Sequence, residues 1–323
     1  MNMSQNQRLL ELYERLMSGE HIKKSVEAQH YQVSPKTIQR DIEDLRTMFA
    51  ANGRVELPYN KKTNSYALSS YNRAINGSIA YALFKILFDS RAYTQEELHT
   101  IKDVLLNVTV VHDRKKVEEL AKNELIHYTP VKKRSPLSLI ESVWQLANAS
   151  SQSHYVDIYY LKEHDKTASY RRIKPLGVMF SEYYFYIIAY DATKDDNFPI
   201  TFRIDRIIDF TVLQMKFSQP HSSRFEEGMF RKRVQFMHTG ELIYLKFKFT
   251  GRSPQAVLDR LPTAKLTKKN DHFIVTAEVF GRGIEMWLLS QAQYVEVLEP
   301  RSLREEMKTT IEQMLACYNE ATI

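Results

Sequence analysis

The first fifty residues repeat apolar side chains with the period of α-helices. Residues 5–18 predict a first helix from the spacing of Leu9, Leu12, Tyr13 and Leu16. Residues 22–30 predict a shorter second helix. Ser34-Pro35 then offers an N-cap followed by the residue best suited to a first helical turn, so we expect a third helix to begin at 35.

The third helix has one apolar and one polar face. Its apolar stripe consists of Ile38, Ile42, Leu45 and Phe49. Its amino-terminal half exposes donors and small polar groups, at Ser34, Lys36, Thr37, Gln39 and Arg40. Arg and Lys can pair with guanine edges, Gln with adenine, and a helix N-terminus with phosphate, so this face predicts a DNA recognition helix. The alternative is that these side chains only solvate an amphipathic helix.

Two short runs after the third helix predict a β-hairpin. Val55–Leu57 and Ser65–Leu68 can pair as strands around a polar turn at residues 60–64. The turn carries Lys61 and Lys62, which we expect to hold DNA phosphates. A recognition helix followed by a basic hairpin predicts a winged helix-turn-helix.

Residues 33–45, VSPKTIQRDIEDL, resemble the second half of the DeoR-type helix-turn-helix, with its VS, its TI and its RD followed by an apolar residue. The resemblance implies that Arg40 faces DNA and that Asp41 orients neighbouring side chains. We therefore expect residues 1–70 to form a winged helix-turn-helix domain that binds double-stranded operator DNA.

Residues 71–134 predict a helical linker. An apolar stripe comes first, at Ile79, Leu83, Ile86 and Leu87, and Thr94 opens the next helix. These apolar faces could form a homodimer, because helix-turn-helix regulators commonly bind paired half-sites, or they could pack within the chain. We favour their partial use in dimerisation. Ser135-Pro136 then predicts the start of another helix.

From residue 153 to 205 the period changes to two, in runs rich in Tyr, Ile, Val and Phe. Alternation places Phe185, Ile187 and Ala189 on one face of a strand and the intervening residues, Tyr184, Tyr186, Ile188 and Tyr190, on the other. We expect the face with the tyrosines to lie outside the core. Polar loops separate the runs. A small antiparallel β-barrel fits this pattern.

Two stretches here, FYIIAYD at 185–191 and FRIDRI at 202–207, resemble the WYL domain of bacterial regulators. Phe185 and Ile187 replace the Trp and Leu of the family name, and Ile200 stands where the family often has arginine. The resemblance implies a Sm/SH3-like barrel over residues 135–235. It also implies an effector site whose residues are Arg172, Tyr186, Arg203 and Arg206.

The chemistry of those four residues suits a nucleotide or a short single strand of nucleic acid. Arginine binds phosphate bidentately and an aromatic face stacks on bases. The alternative is that the tyrosines are ordinary barrel-surface residues and that Arg206 pairs with Asp205 or caps a turn.

Residues 241–298 predict the order β-α-β-β-α-β, and a final helix from 301 to about 320 follows. This order suggests a ferredoxin-like domain over residues 236–323. It resembles the extension that often follows WYL domains, including the Trp-Leu-Leu at 287–289. The whole chain is therefore predicted to be an α+β multidomain protein.

Composition narrows the classes of function but does not identify one. The 323 residues carry a net charge of +6, which permits nucleic-acid binding but does not demand it. The absence of a long apolar stretch and the single cysteine favour a cytoplasmic protein without membrane contact. We find no HExxH, no CxxC and no phosphate-binding loop, and expect no enzyme, metal or cofactor.

The sequence therefore predicts a bacterial transcriptional regulator whose operator binding responds to a ligand. Two alternatives stay open. One is a protein that tethers DNA without sensing a ligand. The other is an enzyme whose active site is assembled from residues distant in sequence.

Overall fold

The computed structural model of the chain describes residues 3–17, 19–51, 56–68, 75–194, 198–218 and 225–319. The chain divides into two compact units, Met1–Pro130 and Val131–Ile323. The finer division into four domains stays a prediction. Among the described residues, no helix is both long enough and apolar enough to cross a membrane.

The first unit begins with three helices and a hairpin: α1 (Gln5–Met17), α2 (Lys24–His30), α3 (Pro35–Ala51), β1 (Tyr59–Asn60) and β2 (Ser65–Tyr66). The predicted apolar stripe of α3 is confirmed, since its four residues are at most 5% exposed. They pack on apolar residues of α1, including Leu12 and Leu16, and on Tyr66 of β2. Ile22 adds a backbone bridge to Tyr66. The hairpin is thereby fixed beside the helices.

The first strand of the hairpin differs from the prediction. Val55 lies outside the described residues, Leu57 is buried but not in a strand, and pairing starts at Tyr59. The physical reason is local. Pro58 has no backbone N–H to donate, and the Leu57 carbonyl already accepts two hydrogen bonds from Arg46.

Three further helices follow in the first unit: α4 (Gly77–Ser90), α5 (Gln95–Asn107) and α6 (Val111–His127). Thr94 caps α5 in a reciprocal capping box with Glu97, as predicted for this start. Of the apolar stripe predicted for α4, Ile79, Leu83 and Ile86 are exposed in the single chain, and their use in dimerisation stays a prediction. The helix instead packs through the neighbouring stripe, Ala80, Phe84, Leu87 and Phe88.

The second unit opens with a helix and five strands: α7 (Leu139–Ser151), β3 (His154–Tyr160), β4 (Ser169–Ser181), β5 (Tyr184–Asp191), β6 (Ile200–Arg203) and β7 (Ile207–Lys216). The strands form one antiparallel sheet in the order β6-β5-β4-β3-β7. Helix α7 covers one face, against buried residues such as Ile158, Ile173 and Ile187. This is the predicted core face of β5.

The predicted closed barrel is wrong: in the described chain, β6 and β7 are the two unpaired edges of an open sheet. After the four residues of β6, a single 3-10 turn at Ile204–Arg206 carries the chain to the far edge, where β7 pairs with β3. The helix predicted to begin after Ser135 also starts later. Ser138 caps it, while the backbone N–H of Ser135 donates to the Asp205 carbonyl.

The second face of the sheet is covered in part by α8 (Glu227–Arg233). Phe230 and Val234 form a buried cluster with Met179 and Ile188, and Tyr186 packs at its margin. Ile188 is fully buried, so the face that alternation left outside the core is a second, smaller core. Sequence alternation cannot detect this, because the covering helix lies about forty residues further along the chain.

The rest of the second unit confirms the predicted element order: β8 (Leu242–Phe249), α9 (Pro254–Arg260), β9 (Lys265–Lys269), β10 (His272–Phe280), α10 (Gly283–Ser290), β11 (Val295–Glu299) and α11 (Arg301–Asn319). The four strands pair antiparallel in the order β11-β8-β10-β9. One face of this sheet packs on the helices through residues such as Phe247, Trp287 and Leu303.

Candidate functional site

The polar face of α3 presents two cations with no polar partner in the described chain, Lys36 and Arg40, and both are exposed. Ser34 caps the helix, since its hydroxyl accepts the Thr37 backbone N–H at 3.1 Å and contacts the Thr37 hydroxyl at 2.9 Å. The first turn is therefore held by its own side chains. Lys36 and Arg40 remain available for an anion.

Gln39 is also among the residues predicted to contact DNA, but its side chain is hydrogen-bonded within the protein. Its side-chain oxygen accepts hydrogen bonds from the Lys24 ammonium at 2.8 Å and from the Tyr66 hydroxyl at 3.1 Å. Its amide donates to Glu43 at 3.1 Å. Gln39 thereby joins α2, α3 and the hairpin, and pairing with a base would require these bonds to break.

Asp41, next to Arg40 in the chain, points into the protein. Its carboxylate accepts two hydrogen bonds from Arg8 of α1, at 2.5 and 3.1 Å, and both side chains are almost completely buried. The hydrogen bond with Asp41 raises the pKa of Arg8. The buried pair fixes α3 against α1, in agreement with the orienting role implied for Asp41, and so sets which residues of α3 face outward.

Lys61 and Lys62 lie in the exposed turn of the hairpin, and neither side chain has a partner among the described residues. Asn60 shapes the turn, because its side-chain oxygen accepts the Lys62 backbone N–H at 2.9 Å. Asn64 closes the turn with a φ of 51°, a conformation that asparagine tolerates better than most residues. The structure thus brings two free lysines to one tight turn.

The predicted effector residues lie in the first sheet of the second unit, and Arg203 and Tyr186 are directly opposite each other on β6 and β5. The Arg203 guanidinium stacks on the Tyr184 ring, 3.3 Å from its centroid. It also donates two hydrogen bonds to Asp205, at 3.1 and 2.7 Å. Burial lowers the pKa of Arg203, but the bonds to Asp205 outweigh it and the net pKa is raised.

Tyr186 is half-buried between this arginine and the cluster around Phe230. Burial raises the pKa of its phenol to about 12, so the ring is neutral at physiological pH. A neutral, partly covered phenol can stack on or hydrogen-bond to a ligand, but it cannot neutralise one.

The other two predicted arginines are also paired with carboxylates. Arg172 on β4 donates to both oxygens of Asp157 on β3, at 2.7 and 2.8 Å, and this pairing lowers the pKa of Asp157. Arg206 donates to Glu163, and this hydrogen bond lowers the pKa of Glu163. The expected alternative of an Arg206 pair with Asp205 is wrong, because Arg203 holds that carboxylate.

The structure therefore assembles the effector residues only in part. Arg203 and Tyr186 are cross-strand neighbours, and Arg206 lies three residues beyond Arg203. No hydrogen bond or ion pair in the described chain joins Arg172 to them. Sequence reasoning missed the stacking partner Tyr184 as well as the carboxylates Asp157 and Glu163, because their pairing depends on strand register and loop path.

Comparison with known domain families gives two matches. Residues 141–212 match the WYL domain, and residues 241–315 match the WCX domain. The first match covers most of α7 and of the five-stranded sheet, including all four predicted effector residues. The second covers the four-stranded sheet and most of α11. Neither match extends to the helices and hairpin of the first unit, so the DeoR-type assignment stays a prediction.

Comparison with solved structures finds distant likenesses. The proteasome accessory factor B/C (PafBC) of Arthrobacter aurescens is 15% identical with a TM-score of 0.32, over 99% of this chain and 50% of that chain. A CRISPR Cas-related protein is 16% identical with a TM-score of 0.37, over 76% of this chain and 73% of that chain. This chain thus spans half the length of the first protein, and scores this low carry no argument about function. No curated protein matches the chain.

Proposed function

We propose that this chain, which carries a WYL domain followed by a WCX domain, is a DNA-binding transcriptional regulator whose operator binding is controlled by a ligand. The observation that carries the DNA-binding half is the set of unpaired cations on α3 and the hairpin turn. Lys36, Arg40, Lys61 and Lys62 are all exposed and without a partner among the described residues.

The two groups of cations have different roles in this proposal. Lys36 and Arg40 enter the major groove and read base edges, with Thr37 beside them and Ser34 at the helix N-terminus near phosphate. Lys61 and Lys62 hold the sugar-phosphate backbone and carry no sequence information. Gln39, which holds the hairpin and α2 in place, supports the reading face and contacts a base only if its internal bonds are released.

The test starts with DNA selected from a random library by the purified protein, followed by affinity measurements on the selected site. Arg40→Ala should cost about 1–3 kcal/mol and relax the preference at one base position. Lys61→Ala should weaken all sequences alike and lower the salt slope by about one unit. Lys116→Ala, which removes an exposed lysine from α6, is the control and should bind as the wild type does. Equal affinity for wild type and a folded Lys36→Ala/Arg40→Ala variant would overturn the assignment.

For ligand sensing, we propose that an anionic ligand displaces carboxylates of the protein from the arginines of the sheet. Arg172, Arg203 and Arg206 each hold a carboxylate of the protein, so a phosphate must replace a carboxylate. Glu163 is the easiest of the three to displace, because its side chain is 61% exposed, against 18% for Asp157 and 7% for Asp205. We infer that a nucleotide or short single strand enters at Arg206 and stacks near Tyr186.

Regulation requires the ligand to prefer one conformation of the protein, because equal affinity for two states shifts no equilibrium. The experiment titrates the protein with oligonucleotides and nucleotides while operator affinity is followed. A ligand that changes operator affinity in the wild type should act weakly on Arg203→Ala and Tyr186→Ala, with stacking worth about 1–3 kcal/mol per base. Equal responses of wild type and both variants would remove these residues from the site.

We also propose that the chain acts as a homodimer on paired half-sites. The supporting observation is the outward stripe of α4, where Ile79, Leu83 and Ile86 are 49%, 39% and 67% exposed. Apolar residues at this spacing suit contact with a second copy of the same helix. Half-site centres should then be separated by about 10–10.5 base pairs or a multiple.

Light scattering with and without operator DNA tests the homodimer. An Ile79→Glu/Ile86→Glu variant should shift the protein towards the monomer mass. Ile126→Glu is a matched control, since Ile126 is as exposed as Ile86 at 67% but lies on α6. A monomer mass for the wild type under both conditions contradicts the proposal.

A further inference from the structure

A cleft of about 570 Å³ lies in the second unit, between the residues that follow β5, helix α8 and the start of β8. Its volume falls within the range of roughly 300–1,000 Å³ that is typical of small-molecule sites. None of the four predicted effector residues lines it. The cleft is therefore a site separate from the arginines of the sheet.

One wall of the cleft is a row of aromatic rings. The ring centroids of Phe225 and Phe230 are 5.1 Å apart, and those of Phe230 and Phe280 are 5.6 Å apart with an interplanar angle of 29°. Phe230 is buried and packs against both other rings. Tyr190 and Phe198 add aromatic surface elsewhere on the lining. Such surfaces favour a flat aromatic ligand.

Another part of the lining, residues 239–241, is held by a close backbone approach. Gly281 has a φ of 63°, and a Cβ at this position would lie 2.5 Å from the Thr239 carbonyl oxygen. Its backbone N–H donates to the Glu241 carbonyl at 3.0 Å. Only glycine permits this contact, which holds the segment before β8 against the end of β10. The cleft is thus largely formed before a ligand arrives.

The described residues of the cleft carry more negative than positive charge. Glu226 and Glu241 line it with exposed carboxylates that have no partner in the described chain. Arg233, the one cation among the described residues of the lining, donates to Glu278 at 2.6 Å and lies 5.8 Å from the centroid of the Phe280 ring, while its Nε has no hydrogen-bond partner there. Two free carboxylates beside aromatic faces favour a cation, through charge attraction and cation–π contact.

We propose that this cleft binds a planar aromatic organic cation. The aromatic wall stacks on the ligand, and Glu226 and Glu241 neutralise it. The ligand has the opposite charge from the anion expected at Arg206, so the second unit has two sites of different chemistry.

The probes are an aminoacridinium cation and acridine carboxylate, which has the same rings with a negative charge, titrated by fluorescence into the full chain without DNA. The cation should bind saturably at one per chain, and the anion should bind at least fivefold more weakly. Glu226→Gln/Glu241→Gln should weaken the cation by about fivefold, the size of one surface ion pair. Glu305→Gln, an exposed carboxylate on α11, should change nothing.

Two substitutions in the lining test whether the probe binds in this cleft. Met229→Trp fills the cleft, and Leu242→Lys adds a positive charge at its exposed rim without altering α8. Each should reduce cation binding at least tenfold, whereas Arg203→Ala should leave it unchanged. Equal binding of the two probes, or wild-type affinity in the double Gln variant and in Leu242→Lys, would overturn the proposal.

Discussion

The two cationic regions of this protein differ in whether their basic side chains already pair with carboxylates of the protein. On α3 and the hairpin turn, Lys36, Arg40 and the two turn lysines have no partner in the described chain. On the sheet of the second unit, three arginines each hold a carboxylate. Free cations can bind a polyanion directly, whereas paired ones bind only if the new anion competes with a protein group. The first arrangement suits constitutive DNA contact and the second suits a regulated exchange.

The largest expected effect concerns the buried ion pair that Asp41 of the first region forms with Arg8. Asp41→Ala leaves Arg8 buried without its carboxylate, and we expect the first unit to lose about 3–5 kcal/mol of unfolding free energy. Circular dichroism during denaturation measures this loss. Both tryptophans, Trp144 and Trp287, lie in the second unit, so their fluorescence should report no change.

Asp44→Ala is the matched control for that prediction. Asp44 lies one helical turn beyond Asp41 and is exposed, and within the described chain its side chain accepts a single hydrogen bond, from Gln5 at 3.5 Å. It should cost less than about 0.5 kcal/mol, as surface substitutions usually do. A similar loss for both variants would show that the buried pair does not set the position of α3.

A smaller effect is expected at Gln39. Replacement by leucine removes bonds to Lys24 and Tyr66 and should lower the unfolding free energy by about 1 kcal/mol. Operator affinity should fall alike for all sequences, because the helix and the hairpin lose their shared anchor. A change in preference at a single base position, with stability intact, would instead make Gln39 a base reader.

The smallest effect is expected at the sheet. Glu163→Gln removes the exposed carboxylate that Arg206 holds, and we expect an anionic effector to bind more tightly, by no more than about fivefold. Asp165→Asn removes the same charge two residues further along, with no bond to Arg206, and should have no effect. Calorimetric titration of both variants measures the difference. Tighter binding in both would point to a general charge effect rather than an exchange.

Periodicity predicted those elements in which one apolar face is unambiguous. The stripe of α3 was correct because its other faces are mainly polar. In α4, apolar residues lie on adjacent stripes, so spacing alone could not distinguish the buried Phe84 from the exposed Leu83. Sequence spacing also could not show that α8 packs on a sheet face that alternation had left outside the core.

The partners of the candidate site residues could not be predicted, for a related reason. Asp157 meets Arg172 through the register of β3 on β4, and Glu163 reaches Arg206 from a loop. Residue type indicates that Arg40 and Arg203 are each able to bind phosphate. Whether a given arginine is free depends on contacts that only the folded chain creates.

The most direct test of this account compares two variants that remove equal charge. Lys36→Ala/Arg40→Ala removes two free cations, and Arg172→Ala/Arg206→Ala removes two paired ones. Measured on the selected operator without effector, the first should lose at least about tenfold in affinity, given about 1–3 kcal/mol for a base-reading arginine. The second should bind as the wild type does. Equal losses in the two folded variants, or a larger loss in the second, would contradict the account.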